Sequence, residues 1–165
     1  MKLLAYEVDK RPFLGVFNEN ETWAYPISAA GMEYRSMKDL IREAGPSEME
    51  MLDYISKKAP GDVMGAAPVD EIRVVSPIAE PDQDIICLGI NYMDHAEESA
   101  RFEKREFERP EKAIYFSKRV NRTNDPDGII PAHKNLTSQL DYEAELAVII
   151  KKDAKDVKPG EVKDY

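Results

Sequence analysis

Short runs of apolar residues, separated by polar turn formers, open the chain. The runs cover residues 2–7, 12–18 and 22–27, with Asp, Lys, Arg, Asn and Glu filling 9–11 and 18–20 between them. Strands of a small sheet typically combine aromatic and aliphatic residues in this way and are bounded by turn residues. The pattern therefore predicts an antiparallel meander at the beginning of the chain.

Two helices are predicted after the meander. Ser36, with Asp39 three residues later, is typical of a helix start. Ser47 with Glu50 has the spacing of a capping box, in which each residue bonds the other's backbone N–H. The second helix is expected to stop before Pro60, because proline does not continue a helix.

The hydrophobic pattern changes near residue 78, where we predict a domain boundary. Residues 71–78 form one more strand candidate, and the proline- and acid-rich residues that follow are typical of a linker. Residues 84–90 are almost entirely apolar, which predicts a strand buried on both faces. We accordingly predict a small β-rich domain with two helices over 1–78 and a second domain over 79–165.

The second domain is expected to be rich in strands. Residues 97–112 are densely charged and predict a solvated helix or a flap, whereas 113–118 and 141–152 predict strands, the latter a long one. Asp156 is a plausible N-cap of a last helix. The sequence stops at Tyr165, which leads us to expect a truncated polypeptide.

Composition and charge narrow the class of protein. The chain has 165 residues, of which 42% are hydrophobic and 33% charged, with a formal net charge of −9. Scattered acidic charge argues against nucleic-acid or anionic-membrane partners, which favour a basic surface. Cys87 is the single cysteine, and the N-terminal apolar run is interrupted at Glu7, so we expect a cytoplasmic protein without disulfides or a signal peptide.

Two acidic residues in the predicted strand 141–152 are candidate metal ligands. Glu143 and Glu145 are two positions apart, so both side chains project from one face of a strand, together with Asp141. Clustered carboxylates repel unless a cation or water neutralises them, and such hard oxygen donors suit Mg²⁺ or Mn²⁺, with Ca²⁺ as a further possibility. The alternative interpretation is the solvated face of an amphipathic strand.

A histidine and a glutamate form a second candidate site. His95 and Glu98 follow the apolar strand at a spacing that places both side chains on one helical face. A carboxylate next to histidine raises the basicity of the ring, as a general base requires. The alternative is an ordinary surface pair at a helix start. Lys118, at the end of a predicted strand, is a candidate for contact with an anionic substrate.

Four segments together resemble the fumarylacetoacetate hydrolase family. They read IICLGINYMDHAEE over 85–98, AIYFSK over 113–118, DGIIPA over 127–132 and LDYEAELAVIIKKDAKDV over 140–157. The segments occur in the order typical of the family, and the resemblance covers about residues 71–165. The β-rich beginning of the chain is similar to the small N-terminal domain of many members.

The resemblance implies a fold, a cofactor and roles for particular residues. The implied fold is α+β and mainly β: a mixed β-sandwich roll, incomplete here, preceded by the small N-terminal domain. Glu143 and Glu145 match two glutamates that hold a divalent metal, whose third ligand, an aspartate, is absent from this chain. His95 and Glu98 match a water-activating dyad, and Lys118 matches a basic position near the substrate. A homodimer is the expected assembly.

The implied activity is metal-dependent hydrolysis of a carbon–carbon bond in dicarbonyl acids such as acylpyruvates. In that reaction, the metal polarises a 2-oxo acid and stabilises the leaving enolate, while water attacks the distal carbonyl. The same chemistry serves isomerases, hydratases and decarboxylases of related oxo acids, which also occur in the family. A non-catalytic fragment or assembly module is the alternative of a different class.

Overall fold

A computed structural model describes residues 1–102 and 111–165. The side chains of His95, Ser99 and Phe102 lie outside the described part. The described chain forms two compact units: the first combines Met1–Ile78 with Asn124–Tyr165, and the second is Ala79–Thr123.

The first unit is built on a five-stranded antiparallel sheet. Its strands are β1 (Leu3–Val8), β2 (Arg11–Phe17), β3 (Trp23–Pro26), β4 (Ala67–Pro68) and β5 (Arg73–Val75). They lie in the order β4-β3-β2-β1-β5. The predicted meander is therefore confirmed as β1 to β3, and the predicted strand 71–78 is present in shorter form as β5.

Alternation along the strands places apolar side chains on both faces of this sheet. On one face, Leu4 and Tyr6 pack with Ala24 in a small cluster. The other face supplies Val16 and Tyr25 to the main core, which the helices complete. That core consists of Val16, Tyr25, Ile27, Met32, Met37, Leu40, Ala44, Leu52, Ile55 and Val63.

Glycine is required at one point of β2, where the strands approach closely. A Cβ atom on Gly15 would lie 2.6 Å from the backbone oxygen of Tyr25 and 2.8 Å from Cε1 of Tyr6. The backbone oxygen belongs to the paired strand and cannot move away without breaking the ladder. The sheet therefore tolerates no side chain at this position.

Two helices, α1 (Met37–Glu43) and α2 (Pro46–Ser56), cover the main core. Ser36 caps α1 as predicted, because its Oγ accepts the N–H of Asp39 at 3.2 Å. The predicted start of α2 at Ser47 is wrong. Gly45 is the N-cap and Pro46 the first helical residue, where the missing N–H and fixed φ of proline are favourable.

Removal of the α1 cap is expected to destabilise the first unit modestly. Ser36→Ala leaves the Asp39 N–H without its acceptor, which typically costs about 1 kcal/mol of unfolding free energy. Urea denaturation followed by circular dichroism measures this change. Ser36→Asn, which retains a capping oxygen, should remain within roughly 0.5 kcal/mol of wild type. Equal losses in both variants would contradict the capping role.

A glutamate links α2 to the loop before α1 and makes stability depend on pH. The Glu48 carboxylate accepts the N–H of Gly45 at 2.9 Å and the hydroxyl of Tyr34 at 2.7 Å. These hydrogen bonds, the one from Gly45 first, lower the pKa of Glu48. The stabilisation that ionised Glu48 provides is therefore complete above the pKa that a glutamate has in the unfolded chain. It is lost as the pH falls through the lower pKa of Glu48 in the folded chain.

This linkage predicts that part of the acid destabilisation disappears in Glu48→Gln. Glutamine does not titrate, so the unfolding free energy of the variant should fall less steeply with decreasing pH in the acidic range. Urea unfolding at a series of acidic pH values measures both slopes. Identical slopes for wild type and variant would refute the assignment.

The second unit contains a two-stranded antiparallel sheet and one helix. Strands β6 (Ile85–Gly89) and β7 (Ile114–Lys118) pair in a register that joins Ile85 to Lys118. The helix α3 (Met93–Phe102) follows β6. Both predicted strands are confirmed, and α3 overlaps only the start of the predicted charged helix, of which 103–110 lies outside the described residues.

The prediction that β6 is buried on both faces is wrong. Ile86 is 67% exposed and Leu88 38%, although the apolar pattern is that of a buried strand. Within the described part of this unit, β6 has only β7 as a strand neighbour. Two strands cannot cover their own faces, so apolar composition alone does not bring burial.

The predicted long strand over 141–152 is also absent. Residues 141–150 have no regular secondary structure and are exposed throughout. A strand is stable only when a neighbouring strand hydrogen-bonds to its backbone N–H and C=O groups, and this segment joins neither sheet. The predicted last helix is a short 3₁₀ helix, Pro159–Asp164, preceded by Lys158 rather than capped by Asp156.

The fold class agrees with the prediction at its coarser level. Over residues 1–102 and 111–165, the chain is α+β, with seven strands and three α-helices. The predicted division into 1–78 and 79–165 stays a prediction. No helix of the described residues has the length and apolar content needed to cross a membrane.

Candidate functional site

The two predicted metal ligands lie on an exposed segment of the first unit. Glu143 and Glu145 are both solvent-exposed, and so is Asp141, whose Oδ1 accepts the N–H of Tyr142 at 2.8 Å. The carboxylates are thus accessible to a dissolved cation. The prediction that these carboxylates share one face of a strand is wrong, because this segment has no regular secondary structure.

The donor chemistry of this segment fits a hard divalent cation in part. No group of three or more His, Cys, Asp or Glu side chains placed to hold a metal occurs among the described residues. Mg²⁺, however, commonly takes one or two carboxylates and completes its octahedron with water and substrate oxygens. By donor type alone, Glu143 and Glu145 are two carboxylates of the kind that Mg²⁺ takes.

The carboxylate-bearing segment is preceded by a turn that is fastened to the sheet. In this turn, Asp125 accepts from Nη2 of Arg73 at 2.6 Å through Oδ2 and from the N–H of Ser76 at 3.0 Å through Oδ1. Nη1 of the same arginine donates to Glu7 at 2.9 Å. Glu7 and Arg73 are partners in the register of β1 and β5, so one guanidinium joins two strands and the turn.

The turn itself has a defined backbone. Gly128 donates its N–H to the carbonyl of Asp125 at 3.0 Å, and Nδ2 of Asn124 donates to the carbonyl of Ile129 at 3.2 Å. A Cβ atom on Gly128 would collide with the Asn124 side chain, so the amide lies directly against the glycine. The Asn-Asp-Pro-Asp-Gly sequence of residues 124–128 therefore forms a turn.

The same segment is held again at its other end. Nζ of Lys151 donates to the backbone carbonyl of Ala44 at 3.0 Å, and Ala44 is the C-cap of α1. A cation at this position satisfies a carbonyl that has no intrahelical partner and opposes the negative end of the helix dipole. The N–H of Lys151 also donates to the carbonyl of Tyr165 at 2.6 Å.

The predicted catalytic pair belongs to α3 of the second unit. His95 and Glu98 are three residues apart within Met93–Phe102, so their backbones have the helical spacing that the pattern predicted. The Glu98 side chain is exposed. The side chain of His95 lies outside the described residues, so its pairing with Glu98 stays a prediction.

Lys118 is the last residue of β7 and is exposed. Its Nζ lies 5.8 Å from the centroid of the Phe116 ring, close enough for a weak cation–π attraction. The ammonium group therefore stands beside an aromatic surface and remains open to water. This environment suits contact with a carboxylate, but it is equally that of an ordinary surface lysine.

Sequence reasoning missed three residues that make long-range contacts before and after the glutamate segment. Arg73, Asp125 and Lys151 act through partners 52 and 107 positions away in the chain. A local pattern does not indicate which distant group a surface arginine or lysine will contact.

Comparison with protein families gives a match over the second half of the chain. The family model for the C-terminal region of fumarylacetoacetate (FAA) hydrolase matches residues 84–165. The matched residues include the candidate metal ligands Glu143 and Glu145, the candidate proton-transfer pair His95 and Glu98, and Lys118.

Individual relatives extend this similarity. The chain is 36% identical over 110 residues to oxaloacetate tautomerase YisK of Bacillus subtilis, a match that spans 66% of this chain and 35% of that protein. It is 27% identical over 175 aligned positions to an uncharacterised protein of Staphylococcus epidermidis, spanning 100% of this chain and 56% of the relative. An uncharacterised Staphylococcus aureus protein is 32% identical over 96 residues, 58% of this chain and 29% of its own length. The chain thus spans between 29% and 56% of the length of these relatives.

Proposed function

Because this chain belongs to the fumarylacetoacetate hydrolase family, we propose that it acts in a metal-dependent enzyme whose substrates are 2-oxo acids. The proposed reaction is a keto–enol isomerisation. The observation that carries the choice of reaction is the 36% identity over 110 residues to an oxaloacetate tautomerase. Tautomerisation moves one proton between a carbon and an oxygen and breaks no carbon–carbon bond. It is the isomerase alternative that the sequence left open.

The resemblance also supports proposals on fold and assembly. We propose that residues 79–165 contribute to the mixed β-sandwich roll of the family. A homodimer and a cytoplasmic location are proposed on the same ground. The exposed apolar strands β6 and β7 are consistent with a larger sheet in the whole protein.

In this proposal, Glu143 and Glu145 hold the divalent metal, Mg²⁺ or Mn²⁺. When bound, such a cation polarises the oxygens of an oxo acid and stabilises negative charge on an enolate. The exposure of both carboxylates supports the proposal, because cation and substrate must reach them from solvent. The remaining coordination positions are assigned to water and substrate oxygens.

His95 is proposed to carry the proton, with Glu98 as its partner. An imidazole titrates near neutral pH, so it can take a proton from a carbon next to a carbonyl and return one to the enol. A carboxylate one helical turn away favours the protonated ring. Lys118 is proposed to bind the substrate carboxylate, which holds the oxo acid in one orientation.

Hydrolysis of a carbon–carbon bond is the second candidate. It is favoured by the His-x-x-Glu spacing on α3, which in acylpyruvase-like members of the family belongs to a water-activating dyad. In this case His95 would deprotonate water instead of carbon. The products, a carboxylic acid and a pyruvate, distinguish this reaction from tautomerisation, which leaves the mass of the substrate unchanged.

The proposal is tested by following oxaloacetate and an acylpyruvate in heavy water with added Mn²⁺. Ultraviolet absorbance reports loss of the enol, and proton NMR of the same sample identifies the product. We expect faster ketonisation of oxaloacetate, with deuterium entering one of the two methylene positions, because an enzymatic base delivers it to one face. Release of pyruvate from the acylpyruvate would instead support the hydrolase.

Two controls complete the test. A sample treated with a chelator measures the metal-independent rate, and His95→Gln removes the proposed proton carrier. No acceleration of either substrate by a chain that circular dichroism shows to be folded would contradict catalysis by this polypeptide. That result would favour the non-catalytic alternative.

A further inference from the structure

We propose that Ile90 is a positioning residue for the proposed proton carrier, and that its left-handed backbone fixes the direction in which α3 leaves β6. The inference rests on the proposed function, since α3 carries His95. It concerns the second unit alone, and it gives a role to a residue that the proposed reaction does not use.

The backbone of Ile90 has an unusual conformation. Its φ is +54°, in the left-handed region, where the Cβ atom of an L-residue crowds the following carbonyl oxygen. Among the described residues, it is the only β-branched one with positive φ. The other non-glycine residues with positive φ are polar: Asp9, Lys10, Glu21, Asp127, His133 and Asp156. Because branching at Cβ makes this region especially unfavourable, local preference does not explain the conformation of Ile90.

Two residues that tolerate positive φ better flank Ile90. Glycine adopts positive φ without steric cost, and asparagine is enriched in the left-handed region. Gly89, however, belongs to β6 and is held in the register of the sheet opposite Ile114. Asn91 comes one residue later, in the link that leads to α3. The left-handed residue therefore lies at the point where the chain leaves the sheet.

The link between β6 and α3 is short enough for one residue to decide where the helix points. Helical hydrogen bonding begins at Tyr92, whose carbonyl accepts the N–H of Ala96 at 3.0 Å. Only Ile90 and Asn91 thus separate the paired strand from the helix. The backbone has two soft dihedral angles per residue, so a rotation at either position moves the whole of α3 relative to the sheet.

The packing of α3 leaves its direction weakly determined. Ala96 and Ala100, one helical turn apart, are each 3% exposed, and the other side chains of α3 that the structure describes are exposed. Hydrophobic stabilisation is roughly proportional to the apolar area that is buried, and two alanine side chains bury little. The link therefore has a large share in setting the direction of the helix.

Isoleucine in this conformation makes a stiff joint between β6 and α3. The left-handed region open to a residue with a Cβ atom is small, whereas glycine populates both signs of φ. Strain of this kind persists where the surrounding structure determines it, and it clusters at active sites, where reacting groups are held in place. The narrow conformational range of Ile90 keeps the backbone of His95 in one position relative to β6 and β7.

Spin-label distances within the second unit test this joint in the full chain. Cys87 is replaced by serine, and cysteines for labelling replace the exposed Ser117 on β7 and the exposed Glu97 on α3. In this background, Ile90→Gly should broaden the distance distribution about twofold, because glycine samples both signs of φ. Ile90→Asn and Ile90→Val retain a Cβ atom and should keep the wild-type width.

Asp127→Gly is the matched control for the added glycine. Asp127 has a φ of +59° and lies in the first unit, so the substitution introduces the same freedom at a left-handed position that is not attached to α3. The distance distribution should remain that of wild type. Equal broadening by Asp127→Gly would show a general loosening of the chain and would overturn the inference.

Ketonisation of oxaloacetate by the unlabelled chains gives the second readout. Misplacement of a reacting group by about 1 Å can lower a rate roughly 100-fold, so we expect Ile90→Gly to lower kcat by roughly 10- to 100-fold. KM should stay within about twofold of wild type, because the proposed substrate contact Lys118 lies on β7 and keeps its place. Ile90→Asn should retain most of kcat. A residue needed only for apolar packing would instead lose as much activity in Ile90→Asn as in Ile90→Gly.

The outcomes distinguish this inference from the proposed function. An unchanged width in Ile90→Gly overturns the joint, and a broadened width with unchanged kcat overturns its positioning role. Absence of ketonisation by the wild-type chain with added Mn²⁺ overturns the proposed function, and with it the assignment of Ile90 to a proton carrier. In that case the spin-label widths still decide whether Ile90 fixes the direction of α3.

Discussion

Glu143→Gln combined with Glu145→Gln is expected to lower the affinity for Mn²⁺ by at least about 100-fold, because loss of outer-shell partners alone costs roughly 10- to 100-fold. Glutamine keeps the size of the side chain and removes the negative charge that attracts the cation. Both side chains are exposed, so the substitutions should not affect folding. Titration calorimetry with Mn²⁺ measures the affinity, and the oxaloacetate assay measures the accompanying loss of activity.

A matched pair of glutamates is available as a control. Glu19 and Glu21 are also two positions apart and exposed, in the turn between β2 and β3. Their double replacement by glutamine changes the net charge by the same amount, and it breaks only an exposed pair between Lys2 and Glu21. Equal Mn²⁺ affinities of the two double variants would show that general charge, and not the candidate site, attracts the cation.

Leu52→Ala is expected to have the largest effect on stability. Leu52, on α2, is completely buried in the main core of the first unit. Truncation removes apolar surface and leaves a cavity that the surrounding residues fill only in part, which costs about 2–5 kcal/mol. Small domains have a total stability of roughly 5–15 kcal/mol, so the loss is a large fraction of it.

The neighbouring residue provides the comparison. Met51 lies on the same helix but is 44% exposed, so Met51→Ala should cost much less than Leu52→Ala. Both substitutions introduce alanine, which has the highest helix propensity, and therefore differ mainly in burial. Urea denaturation monitored by circular dichroism measures both changes. Similar losses in the two variants would contradict the position of α2 over the core.

Local patterns predicted the first unit well because its elements are specified by nearby residues. Strands β1 to β3 follow from alternating apolar runs and their turns. The start of α1 follows from the cap at Ser36, three residues from the N–H it binds. The start of α2 was predicted two residues too late, at Ser47, because Pro46 at the first helical position and the side chain of Glu48 place the N-cap at Gly45.

The candidate site was predicted as a set of residues and not as an arrangement. The two glutamates, the His-x-x-Glu spacing and Lys118 were all visible in the pattern and in the family resemblance. The expected strand beneath Glu143 and Glu145 did not form, since its backbone groups have no neighbouring strand in the described structure. The predicted burial of β6 is wrong for a related reason, because the burial of a strand depends on which other elements cover its faces.

The sequence by itself determined the α+β class, most of the element boundaries in the first unit, the family and the candidate residues. These properties depend on short-range spacing, turn chemistry and ordered motifs, all of which a linear pattern contains. Only the tertiary structure decided that Arg73 holds Asp125 and that Lys151 reaches the end of α1. Contacts of this kind join residues 52 and 107 positions apart, and they depend on how the sheet and helix place their surfaces in space.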